Sequence, residues 1–229
     1  MRELLCNSSF FCVVLTVGCF CIGTVCQKKW KKTIFNPIII GAALVILVLA
    51  AADIPVEVYQ ENTKLLSWLM TPATICLAIS FAEQIRSLKD HLGAVIAGVL
   101  AGTVCGLLCV AAMAKGFGLS ETLMWSLLPK SVTTAIGVAL SEQAGGIAAI
   151  TTVAIILTGI LGNMMGPVLA KIFHITDPGA QGVAFGTASH VVGTTKAVEM
   201  SPVAGAVSSL SLTLAGLLTS VIFSFALSI

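Results

Sequence analysis

Gly186-Thr187-Ala188-Ser189-His190-Val191-Val192-Gly193-Thr194-Thr195-Lys196 lies between an apolar helical pattern that ends near Phe173 and another that opens after Pro202. It is too polar and too rich in glycine for an ordinary lipid-facing span. On a regular helix Thr187, His190 and Thr194 share one face, at i, i+3 and i+7. Lys196 and Glu199 close the segment. A histidine among hydroxyls, inside so apolar a chain, marks a functional position.

The surroundings set the fold class. The chain has 229 residues, of which 57% are hydrophobic and only 10% charged. Soluble domains carry about 25% charged residues, so a water-soluble fold would have little with which to cover its surface. Apolar residues come in long blocks, which excludes the alternation of an outer-membrane barrel. The expectation is an all-α polytopic membrane protein with about seven to nine hydrophobic segments, some interrupted or re-entrant. A net charge of +2 and the lack of a basic-aromatic groove argue against nucleic acid. The eight cysteines form no CxxC pair and no Cys/His ligand spacing, so neither a metal site, a cofactor nor a disulfide framework is expected.

Leu4 to Cys26 carries no charge and precedes Lys28-Lys29-Trp30-Lys31-Lys32. A secretory signal places its charge before the apolar core; here the charge mostly follows. The lysine cluster is expected in the cytoplasm and the N-terminus outside. Residues 1–32 thus read as an N-terminal transmembrane helix with a basic cluster, and residues 33–229 as the main membrane domain. Thr33 to Ala52 is a second uncharged stretch, and Asp53 to Glu61 reads as an acidic outer loop. Leu65 to Ala82 carries Thr71-Pro72-Ala73-Thr74 in its middle, where proline kinks or splits a helix. A charged loop follows, then Leu92 to Met113 with Gly93, Gly98, Gly102 and Gly106, residues that let helices approach closely. In Thr122 to Gln143 a second proline interrupts the run, as Pro129-Lys130-Ser131-Val132-Thr133-Thr134. On an unbroken helix Lys130, Thr134, Gly137 and Ser141 would share a face. Gly146 to Ala170 and Val203 to Ile229 are further spans.

Pro72 and Pro129 are each followed by hydroxyl and small residues, then by Glu83-Gln84 and Glu142-Gln143. Two structural repeats, 33–118 and 119–229, are expected on that pattern. Paired interrupted segments in two halves point to a transporter site at the repeat interface.

Pro129-Lys130-Ser131-Val132-Thr133-Thr134, Ser141-Glu142-Gln143-Ala144-Gly145-Gly146, Leu157-Thr158-Gly159-Ile160-Leu161-Gly162 and Gly186-Thr187-Ala188-Ser189-His190 resemble the LrgB/CidB family of bacterial membrane proteins. Asn36-Pro37 and Pro72-Ala-Thr-Ile-Cys-Leu-Ala carry the likeness too, which runs from about Thr33 to the C-terminus. The family usually has proline at the place of Ala135, and a Pro-Leu-Tyr-like run at the place of Ser80-Phe81-Ala82. The resemblance implies a multi-pass protein of the bacterial cytoplasmic membrane. It implies one of two functions: a holin- or antiholin-like modulator of murein hydrolase activity, or, as in the related plant plastidal glycolate/glycerate translocator, a carboxylate transporter.

Broken helices expose unpaired N–H groups at each new half-helix start, and that end attracts anions. The breaks at Pro72, Pro129 and Gly186–Gly193 are therefore expected to converge on a small monocarboxylate such as glycolate, glycerate or pyruvate. Lys130 supplies the charge, and Thr74, Ser131, Thr133, Thr134, Thr187, Ser189 and Thr194 orient the ligand. His190, Glu142 and Glu199 are the candidates for proton or ion coupling. Each has a plainer alternative. Hydroxyls bond their own i−4 carbonyl, Lys130 snorkels to an interface, His190 bonds between helices, and Glu142 is a solvated helix end. The rival function is an antiholin-like regulator acting through a homo-oligomer or a small holin-like partner of the LrgA/CidA type, in the lipid bilayer. No nucleophile elbow, His-Glu-x-x-His run or phosphate loop is present, so enzymatic activity is not expected.

Overall fold

A computed structural model describes residues 8–30, 37–69, 72 and 92–227. The described chain is all-helical, with ten helices: α1 Ser9–Trp30, α2 Pro37–Ala52, α3 Val56–Asn62, α4 Lys64–Trp68, α5 Leu92–Gly116, α6 Glu121–Leu127, α7 Thr134–Gln143, α8 Ala148–Ile172, α9 Pro178–Met200 and α10 Pro202–Leu227. Four of them, α1, α5, α8 and α10, are long and apolar enough to cross a membrane; α2 and α3, bent by 119°, make up to a fifth span. Their outer faces are apolar as lipid requires, with Phe10, Ile46, Leu47, Leu108, Val168 and Phe225 among the exposed side chains. Thr74, the charged loop from Glu83 to His91, and Lys31-Lys32 lie outside the described residues.

The chain divides into two compact units, Met1–Thr74 and Ile75–Ile229. In the first, α1 and α2 approach closely: a methyl group at Gly23 would come within 2.7 Å of the Pro37 carbonyl oxygen. The expected acidic loop is partly helical. Asp53 adopts φ 53°, and Ile54 N donates to Leu49 O and Asp53 N to Ala50 O, which ends α2. The chain then restarts as α3, whose Tyr59 hydroxyl lies 2.6 Å from Thr16 Oγ1 on α1.

In the second unit, α5, α7 and α8 end by the same double closure, at Gly118 (φ 65°), Gly145 (φ 78°) and His174 (φ 53°). Asp177 caps α9, Oδ1 accepting from Ala180 N at 2.7 Å, with Pro178 in the first turn.

Two expected segments are helical hairpins rather than rods. Between α6 and α7 the chain is non-helical around Pro129. The Pro129 carbonyl faces Gly137, where a methyl group would come within 3.2 Å. Ser126, near the end of α6, accepts from Ile147 N just beyond α7. α9 breaks at His190 (φ 43°, ψ −138°) into an arm Pro178–Ser189 and an arm Val191–Met200. Phe185 of the first arm packs with Ala197 of the second and Ala204 of α10. Gly182 approaches the Ala204 carbonyl while Val198 approaches Gly205, so both arms run along the same part of α10. A straight helix would set residues 182 and 198 about 24 Å apart. The shared face expected for Thr187, His190 and Thr194 therefore does not exist, because the chain reverses between them. Likewise Lys130 lies in the turn before α7 and not on the face of Gly137 and Ser141.

Candidate functional site

The two hairpins meet at a cavity of about 390 Å³ built from the second unit. α5 contributes Gly102, Thr103 and Gly106; the Pro129 turn contributes Leu128 to Val132; the first arm of α9 contributes Ala184, Thr187 and Ala188; α10 contributes Ala215 and Thr219. The walls are mostly apolar, and the polar groups are few. Lys130 is half-buried, and its Nζ donates to Ser131 Oγ at 3.1 Å. Among the described residues no carboxylate pairs with it. Thr103 and Thr187 are each 7% exposed, and their Oγ1 atoms have no hydrogen-bond partner. A buried hydroxyl left unsatisfied costs about 1–3 kcal/mol. The cavity thus offers one full positive charge and two unspent hydroxyls in low-dielectric walls. That combination suits a small anion with a second polar group.

Of the other expected site residues in the second unit, none lines this cavity. Pro72 is exposed and belongs to the first unit. Thr133 precedes α7, its Oγ1 buried and without a partner, and Thr134 opens that helix; neither lines the cavity. His190 is 4% exposed at the hairpin tip, and its Nε2 lies 2.9 Å from the Ile155 carbonyl of α8. A carbonyl only accepts, so Nε2 carries the proton in that bond. Gly159 makes room for the ring, since a methyl group there would come within 2.6 Å of Cε1. Ser189 faces Gly162 of α8. Thr194 donates to its own i−4 carbonyl, that of His190, at 2.8 Å and pairs with Ser208 Oγ of α10 at 2.8 Å. Glu142 is exposed at the end of α7, and Glu199 is exposed and pairs with Lys196 at 2.9 Å. Of the expected set, the cavity gathers Lys130, Ser131 and Thr187.

Thr103 was not expected. Its signal lay in Gly98-x-x-x-Gly102-Thr103, a hydroxyl beside a close-packing glycine in an otherwise apolar span. Asn163 was not expected at the site either. Its Nδ2 donates to the Val192 carbonyl at 2.9 Å, just past the break in α9. The tip is therefore pinned to α8 twice, by His190 at the break and by Val192 two residues on.

No solved structure matches the chain. Among curated proteins, the antiholin-like protein LrgB of Bacillus cereus (strain B4264) is 33% identical over 214 residues, covering 93% of each chain. The antiholin-like protein LrgB of Bacillus anthracis (strain A0248) is equally similar, 33% over 214 residues. The LrgB-like family profile matches residues 16–229, so the match takes in the first unit as well as the cavity, and this chain belongs to the LrgB-like family.

Proposed function

We propose that this protein is an antiholin-like modulator of murein hydrolase activity in the bacterial cytoplasmic membrane. The observation that carries this reading is likeness along 93% of the chain, one third identical to the LrgB relatives. The protein acts as a non-enzymatic membrane component, in a homo-oligomer or with a small holin-like partner. Its N-terminus lies outside and the cluster at Lys28-Lys29 in the cytoplasm. The test is deletion and complementation in the native host, scored by the rate of lysis after a detergent challenge. Deletion is expected to accelerate lysis and the intact gene to restore it; an unchanged rate in both strains overturns the proposal.

A second reading is favoured by one feature, the Lys130 cavity with its two unpaired threonines. In it the protein carries small monocarboxylates such as glycolate, glycerate or pyruvate by alternating access, coupled to protons. Two broken helical hairpins that face each other suit a site near the bilayer midplane, and a division into repeats 33–118 and 119–229 belongs to this reading. Uptake of labelled carboxylate into proteoliposomes tests it, and no uptake under any pH gradient removes it. The two readings are compatible, since a flux of weak acid across the membrane changes the conditions in which wall hydrolases work.

A further inference from the structure

The Lys130 cavity has a neighbour. A second cavity, of about 410 Å³, lies toward the base of the α9 hairpin, where Asp177, Pro178, Val203 and Val207 are among its lining residues. Gly98, Ala180 and Val183 line both cavities. Where the two are divided, Val183 of the first arm of α9 stands against Gly98 of α5: a methyl group at Gly98 would come within 3.1 Å of Val183 Cγ1. Beyond Pro178 and Gly179 at the base, the residues of the first arm that line one or both cavities are Ala180, Val183, Ala184, Thr187 and Ala188. Their spacing is one helical stripe, so the arm is a single wall running from the base to the tip. The second arm, Val191–Met200, lines neither cavity among the described residues.

We infer that Val183, set against Gly98, is the gate between an entrance at the base of the α9 hairpin and the Lys130 cavity. Valine in a helix holds essentially one χ1 rotamer, so the side chain does not swing aside. Opening therefore requires α5 and the arm to separate. The arm itself is fixed to α10: at Gly182 a methyl group would come within 2.6 Å of the Ala204 carbonyl, and at Gly186 it would overlap the Ser208 carbonyl. Against α5, where Gly98 and Gly102 stand, the arm presents side chains rather than backbone, Val183 at Gly98 and Thr187 at Gly102, and Val183 joins the core cluster of Val95 and Val99. The α5 side is the one that yields. The inference takes the Lys130 cavity as the ligand site of the second reading above, but the gate can be measured without any ligand.

The experiment follows modification of Thr187→Cys by a sulfonate-bearing methanethiosulfonate reagent in the purified full-length protein. Labelling of residue 187 is read by peptide mass spectrometry, so the native cysteines stay in place. In that background Val183→Ala is expected to speed labelling about tenfold and Gly98→Ala to slow it about tenfold, a barrier change of the size that one or two buried methyl groups make. Gly93→Ala, on the same helix but facing open space, is expected to leave the rate unchanged. Opposite shifts from Val183→Ala and Gly98→Ala exclude simple misfolding, which would speed both. Equal rates in all variants, or shifts of one sign, overturn the gate. Protection of the Thr187→Cys thiol by added glycolate tests the ligand reading separately. Gated labelling without protection keeps the gate and discards the carboxylate. Protection with ungated labelling does the reverse.

Discussion

His190 carries a strained backbone at the tip of the α9 hairpin. Its φ of 43° and ψ of −138° lie in a region that only glycine enters freely, at a cost of about 1–3 kcal/mol for any side chain. The ring recovers part of that through its bond to the Ile155 carbonyl. His190→Gly is therefore expected to destabilise the protein less than His190→Ala, by about 1 kcal/mol, although both lose the ring. Thermal unfolding in detergent measures the difference, and equal losses would show that the backbone is not strained there. The threonines of the cavity make a complementary case. Thr103→Val and Thr187→Val replace an unpartnered hydroxyl by a methyl group of the same shape, which removes a desolvation cost. Each is expected to raise stability by up to about 1 kcal/mol and to weaken protection of the cavity by glycolate. A fall in stability would mean that the hydroxyls are satisfied in the folded protein. Thr194 is the contrast, because it already spends its hydroxyl on His190 and Ser208.

At the scale of the element, glycines decide which helices touch and how closely. Gly182 and Gly186 bring the first arm of α9 against the backbone of α10, and Gly159 and Gly162 bring α8 against the hairpin tip. Other glycines in the same kind of sequence face nothing: Gly93 and Gly106 have open space where a methyl group would go. Gly186→Ala is expected to cost about 2 kcal/mol or more, since the obstacle is the Ser208 carbonyl and not a movable side chain. Gly93→Ala is expected to be neutral or to stabilise by about 0.5–1 kcal/mol through helix propensity. Unfolding curves of the two variants check the contrast, and similar values for both would show that α9 and α10 are looser than described. The proline expectation holds at Pro129, where the helix divides, but Pro167 sits inside α8 without ending it. At the Pro129 turn the Leu127 carbonyl is taken by Lys130 N and the Pro129 carbonyl by Val132 N.

For the whole molecule the two readings of function make different demands on the same residues. If restraint of autolysis works through packing and partners, Lys130→Ala and His190→Ala are expected to complement a deletion fully, whereas Gly98→Leu or Gly102→Leu are expected to abolish complementation. If carboxylate flux is the cause, Lys130→Ala is expected to fail as well. Lysis rates of the complemented strains separate the two. Much of this architecture was legible beforehand. The low charge and the blocks of about twenty apolar residues dictated a helical membrane protein, because hydrocarbon leaves backbone groups no partner outside the helix. The motifs around Lys130 and His190 identified the family and marked both interruptions. What the sequence could not carry was direction. Periodicity assumes that a helix continues, so it put Thr187, His190 and Thr194 on one face, while the reversal at His190 sends them to three different neighbours. Nor could it separate glycines that pack from glycines that face open space, since a missing Cβ means something only beside another chain segment. The sequence alone thus determined the helical membrane class and the interruptions near Pro129 and His190, through hydrophobicity, proline and polar content, which act locally. Only the tertiary structure decided which polar groups share a cavity, because that depends on how each broken helix folds back, and the contacts that set the fold-back lie many residues away.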